Sequence, residues 1–228
     1  MAGTVNNCYI TACWNGELER VKAAIVLGCD INYADTREPH CTGLLIAARK
    51  SNLPILSTLL QTQGVDVNKT DKYNQTALMA VCYDGFLGGV TLLCGVPGID
   101  PNIQHILGVT AAIACVIRHN ADCLAEVLRI PGVDINLKNN TGDAAIHEAV
   151  IGNSLECLKI LLHTDTVDVN MKNSAGNTAA MLCLIENKKD MFKVMMESAK
   201  VDLSIKNAKD KTLEKIARYD VLQLFSKV

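Results

Sequence analysis

Large rings are scarce in this chain: aromatic residues make up 4%, with three Phe, five Tyr and one Trp. With 49% hydrophobic residues, its core must therefore be built from small and medium aliphatics, and the apolar content excludes a disordered chain. There is no charge excess either. The net charge is −2 and the cations are scattered, so the electrostatic footprint of a nucleic-acid binder is missing. No apolar run approaches the roughly 20 residues that a bilayer span requires, which argues against membrane insertion. The opening MAGTVNNCYITACWNG lacks a basic n-region and an apolar h-region, so no signal peptide is expected. Ten cysteines occur without one C-x-x-C pair, against a zinc ribbon or redox motif. Together these absences predict an intracellular protein with free thiols, cytoplasmic or nuclear.

What is present is a repeat. Asp-x-Asn stands at Asp30-Ile-Asn32, Asp66-Val-Asn68, Asp100-Pro-Asn102, Asp134-Ile-Asn136 and Asp168-Val-Asn170, and degenerates at Asp202-Leu-Ser204. After a first interval of 36 residues the step is 34. Thr42, Thr76, Thr110, Ala144, Thr178 and Thr212 keep the same step, and each lies 24 residues before its Asp where both are present. Within a period, small apolar residues follow the Thr, as at Ala47-Ala48 and Cys115-Val116, and predict one short helix. A Gly, Asn or Ser break ends it. Apolar residues at helical spacing, such as Cys157, Leu158, Leu161 and Leu162, predict a second helix. One such unit cannot bury its own apolar face; stacked neighbours can, which predicts an all-α solenoid.

The stretches GDAAIHEA (142–149), NQTALMAV (74–81) and GNTAAMLC (176–183), each followed by Asp-x-Asn or its remnant, resemble the ankyrin repeat. The resemblance covers nearly the whole chain. It implies stacked helix-turn-helix units with projecting finger loops in a single domain. The units run 1–35, 36–71, 72–105, 106–139, 140–173, 174–207 and 208–228, the first and last serving as caps. Two departures stand out. Ala77, Ala111, Ala145 and Ala179 replace the family's Pro after Thr, and its His survives at His147 alone. The loss of that histidine ladder predicts a less rigid stack. The first loop, YADTREPHC, is two residues longer than the others.

Residues with reactive chemistry find ordinary roles in this frame. Cys13, Cys29, Cys82, Cys94, Cys115, Cys123, Cys157 and Cys183 fall on packing slots, where Cys acts as a small hydrophobe. Cys41 maps to a finger tip and is expected to face solvent. Cys115, His119 and Cys123 could be weighed as metal ligands, but His119 falls at a helix break, so no metal or other cofactor is expected. No nucleophile is paired with any of the five histidines and no phosphate loop appears, so catalysis is not expected. Each Asp-x-Asn asparagine should hold its own turn through local bonds.

The resemblance also implies a function: binding a protein through a concave palm of first helices and through the fingers. The exposed helix place, seventh after each Thr, carries Trp14 (its equivalent in the first unit), Arg49, Tyr83, Ile117, Ile151 and Ile185. Numbered by the unit each opens, the second to sixth fingers carry Glu38-Pro39-Cys41, Lys72-Tyr73-Gln75, Ile106-Leu107-Val109, Asn140-Thr141-Asp143 and Ser174-Ala175-Asn177. The uncharged stretch ILGVTAAIACVI (106–117) thus divides. Ala112, Cys115 and Val116 are core; Ile106, Leu107, Val109 and Ile117 should face out, with Tyr73 and Tyr83 on one side and Ile151 on the other. Such a patch marks an interaction site. The expected protein is a monomeric adaptor or scaffold taking an apolar or amphipathic segment of its partner. An assembly chaperone or inhibitor that masks a partner surface is the alternative.

Overall fold

The computed structural model describes residues 2–35 and 40–217. Among these, thirteen helices follow one another, and the β-structure is an isolated bridge between Ala34 and Thr42. Six helix pairs lead the chain: α1 (Ala2–Asn15) with α2 (Leu18–Val26), α3 (Gly43–Arg49) with α4 (Leu53–Leu60), and α5 (Ala77–Asp84) with α6 (Leu87–Cys94). Then come α7 (Ala111–Ile117) with α8 (Ala121–Val127), α9 (Ala145–Ile151) with α10 (Leu155–His163), and α11 (Ala179–Ile185) with α12 (Lys189–Met196). The short α13 (Leu213–Ile216) closes the series. Odd helices pack on odd neighbours and even on even, so two layers run the length of the stack.

The threonine column is a column of helix starts. Thr42, Thr76, Thr110 and Thr178 sit in extended backbone before α3, α5, α7 and α11. Each hydroxyl accepts from the backbone N–H three residues on, satisfying a donor that the helix itself leaves unpaired. Ala144 has no hydroxyl. There the Nδ1 of His147 accepts from the Ala144 N–H at 3.1 Å, which ties the same turn from the other side. Because α3, α5, α7, α9 and α11 are short and each lies between two neighbours, their residues are buried almost without exception: Ala111 to Val116 are all core.

The Asp-x-Asn motif divides its labour in a way that corrects the expectation of a purely local turn. The aspartate makes the local bond: Asp100 Oδ1 accepts from the Asn102 N–H at 2.9 Å. The asparagine reaches into the next unit. Asn102 Nδ2 donates to Gly132 O at 2.8 Å, and its Oδ1 accepts from the Asp134 N–H at 2.8 Å. Asn32, Asn68, Asn136 and Asn170 repeat this double bond. The stack lacks the histidine ladder but has an asparagine ladder along its edge.

A candidate partner-binding face

The fingers are built by one acceptor at their opening. Asp71, Asn139, Asn173 and Asn207 accept two backbone N–H groups each through a side-chain oxygen, and His105 Nδ1 accepts from the Leu107 N–H at 3.2 Å. Each finger then closes by a backbone bond, such as His105 N–H to Val109 O at 2.9 Å. Neighbouring fingers are joined as well. The Ile106 N–H donates to Tyr73 O at 3.0 Å, and the Asn140 N–H donates to Leu107 O at 3.0 Å. Asn140 Nδ2 adds a bond to Ile106 O at 2.9 Å. With their peptide groups committed sideways, Ile106 and Leu107 present their side chains to solvent, 54% and 58% exposed.

Beside them the palm is hollow. A recess of about 370 Å³ opens between the third and fourth fingers. Gln75, Met79 and Tyr83 form one wall; His105, Leu107 and Val109 form the finger wall; Ala114 and Ile117 lie on α7. The volume is within the range of sites that bury small ligands or anchoring side chains. Tyr73 stands next to it, its ring 6.3 Å from that of His105. Three aromatic residues of this face each carry a cation. Lys50 lies 5.1 Å from the Trp14 ring, Lys72 lies 4.8 Å from Tyr73, and the Arg118 guanidinium lies 4.7 Å from Tyr83.

The other expected contacts are placed less uniformly. Tyr73, Tyr83, Ile151 and Ile185 are exposed, the last two beyond the recess. Val109 and Ile117, expected to face out, are half-buried and pack against the core while lining the recess. Trp14 is also half-buried. Arg49 is engaged inside the chain: its guanidinium bonds Asp71 Oδ2 at 2.6 Å, the Gln75 side chain and, at 2.8 Å, Cys41 Sγ. Asp71 is buried, so this pair locks the third finger to the second unit and leaves Arg49 little to offer a partner. Glu38 and Pro39 lie outside the described residues.

Cys41 corrects an expectation outright. It is fully buried beneath Arg49, one residue inward from His40, whose φ of 58° marks the turn. Cys8 on α1 is exposed instead. The packing slots hold Cys13, Cys82, Cys115, Cys123, Cys157 and Cys183 buried, while Cys29 and Cys94 are half-buried. Burial pushes the Cys13 and Cys183 thiols up to about 12, far from thiolate reactivity. His119 is exposed, and among the described residues no group of three His, Cys, Asp or Glu is placed to hold a metal ion.

Met79, His105, Ala114, Lys50 and Arg118 escaped the sequence reading of this face. For the cations a signal existed. Trp14 and Lys50, like Tyr83 and Arg118, pair a ring at the place seventh after the Thr position with a cation at the eighth place of the next unit.

Comparison with known proteins accords with this geometry. A family model described as ankyrin repeats (three copies) matches residues 9–105 and again 109–207. The chain belongs to the ankyrin-repeat family. A relative from Danio rerio, ankyrin repeat domain-containing protein 29, is 40% identical over 67 residues, which are 29% of this chain and 22% of that protein's length. Among solved structures, the ankyrin repeat domain of Bcl-3, a unique member of the IkappaB protein family, superimposes with a TM-score of 0.88 at 22% identity. The match covers 96% of this chain and 97% of that one. EF0377, an ankyrin repeat protein, gives 0.72 at 23% identity, covering 81% of this chain and 94% of its own. These structures share the fold. Ankyrin repeats are typically non-catalytic and mediate protein–protein interaction. Among the described residues no helix is long and apolar enough to cross a membrane.

Proposed function

We propose that this protein is a non-catalytic adaptor that works as a monomer inside the cell and grips a partner protein through its concave face. An apolar or amphipathic segment of the partner lies along the palm, anchored at the third and fourth fingers. The observation that carries this reading is the recess beside Ile106 and Leu107. Two large aliphatic side chains are held in water by backbone bonds at the rim of an apolar hollow, an arrangement that gives the free molecule no benefit. The intracellular location rests on cysteines used as small core residues, which a reducing compartment keeps as thiols.

The test is paired capture from an extract of the native cell, using the wild-type chain and an Ile106→Asp/Leu107→Asp double variant. Each anchor should be worth about 2 kcal/mol when buried in a complex. Losing both weakens binding about a thousandfold, because each 1.4 kcal/mol is tenfold. The thermal midpoint should barely move, since both side chains already face water. Leu158→Asp, on a fully buried core position, is the control that should destabilise regardless of any partner. Recovery of the same proteins by wild type and double variant would overturn the palm as the binding surface.

A further inference from the structure

The charges around the recess define the chemistry of what it takes. Lys72 and Arg118 bracket the hollow: Lys72 lies on Tyr73, which meets His105 in the finger wall, and Arg118 lies on Tyr83 in the opposite wall. Both are exposed, and neither is paired with a carboxylate among the described residues. Arg118 uses Nε to bond Tyr83 O at 3.3 Å, which fixes the guanidinium plane over the ring. Its Nη groups make no bond within the described chain. The remaining charges of this face offer less. Arg49 is neutralised by Asp71, Glu148 on α9 is held by Asn139 Nδ2 at 2.7 Å, and Asp84 is an exposed anion beside Tyr83. At the recess itself the rim therefore presents two unpaired cations, Lys72 and Arg118, against the Asp84 carboxylate, while the Glu148 carboxylate lies one unit further along the palm.

We infer that the recess takes one large apolar side chain from a segment carrying carboxylates on both flanks of that anchor. The inference rests on the palm being the binding face and names the chemistry of its ligand. Stacking on a ring holds each cation extended at the rim before a partner arrives, so less side-chain freedom is lost on binding. A guanidinium so placed offers its planar donors to a carboxylate pair. Met79 in the Tyr83 wall supplies an unbranched side chain that can adjust to the shape of the anchor. Asp84 sits on the Tyr83 side, so a flanking carboxylate there must approach Arg118 from the finger side.

The experiment is selection from a displayed library of random linear peptides on three immobilised full-length baits: wild type, Lys72→Glu/Arg118→Glu, and Ile106→Asp/Leu107→Asp. Helical spectra and melting curves confirm that all three are folded. The wild-type pool should share a Leu, Ile, Met, Phe or Trp with Asp or Glu on either side. The charge-reversed bait should select Lys or Arg at those flanks. Synthetic peptides from the wild-type pool should bind it about tenfold more weakly, as two lost surface pairs and their repulsion would give. A pool that needs Ile106 and Leu107 but shows no excess of acid, or an excess of base, overturns this inference and leaves the palm reading standing. A pool indifferent to the aspartate substitutions, or no enrichment over a blank surface, overturns both.

Discussion

His147 does two jobs with one ring. Its Nδ1 accepts from the Ala144 N–H at a helix start that lacks a threonine, so Nε2 carries the proton and donates to Met171 O at 3.0 Å. The ring is fully buried, and that burial holds its pKa below 6.5. The sign of the consequence follows. The unfolded imidazole takes up a proton as pH falls through 6.5 while the folded one resists it, so stability is present above that pH and lost below it. Glu148 next door acts in the opposite sense, its carboxyl raised by burial and by Asp143, so the informative quantity is a difference between variants. His147→Gln should lower the urea-unfolding free energy by about 1–3 kcal/mol at alkaline pH, because buried backbone partners lose their bonds. The gap to wild type should narrow as the pH is taken below 6.5. A gap that stays constant with pH would mean that the imidazole does not titrate with folding.

At the scale of the element, the fourth finger depends on a conformation that few residues adopt. Gly108 has φ of +75°, and a Cβ there would lie 2.8 Å from Asn139 Cα and Asn140 N in the next finger. His40, Asn74, Gly142, Gly176 and Asp210 hold the same left-handed place one period apart. Gly108→Ala should cost about 1–3 kcal/mol, combining backbone strain with the clash. It should also speed hydrogen exchange at the Asn140 amide, which bonds Leu107 O. Gly132→Ala, at φ +79° with open space around its Cβ, pays for the backbone alone and should cost less. Equal costs would mean that the fingers are not in contact. The same finger shows what the sequence could and could not reveal. Its place, its exposed Ile106 and Leu107, and the buried Ala112, Cys115 and Val116 behind it were legible, because periodicity assigns each residue a face. The orientations of Arg49, Val109 and Ile117 were not. A column of equivalent positions assumes identical neighbours, and Arg49 has the buried Asp71 to turn to where the later units carry His105, Asn139, Asn173 and Asn207. Cys41 was misplaced for a similar reason: the finger turns at His40, so the next residue already points inward.

At the scale of the whole molecule, the stack predicts its own tolerance to losing a unit. Deleting 106–139 joins His105 to Asn140, and the bonds between fingers and along the asparagine ladder find substitutes in register. The Asn140 N–H can take Tyr73 O, as the Ile106 N–H does now. Asn102 can take Thr166 O and the Asp168 N–H, the present partners of Asn136. On the core side, the face of α5 that now meets α7 would meet α9, where Ala145, Ile146, Ala149 and Val150 offer side chains of similar bulk to those removed. Coupling in such arrays runs between neighbours, so the shortened chain should fold with the same helical signature and a shallower urea slope, in keeping with its smaller buried surface. The function should not survive. The deletion removes Ile106, Leu107, Val109, Ala114, Ile117 and Arg118, leaving the Tyr83 wall of the recess facing Asn140 and Glu148 in place of an apolar finger. A shortened protein that is folded by circular dichroism but has lost the captured partner would separate the scaffold, which any unit can extend, from the site that one pair of units forms. A folded deletion that still binds would place the binding surface elsewhere on the palm, and an unfolded one would show coupling that reaches past the nearest neighbour.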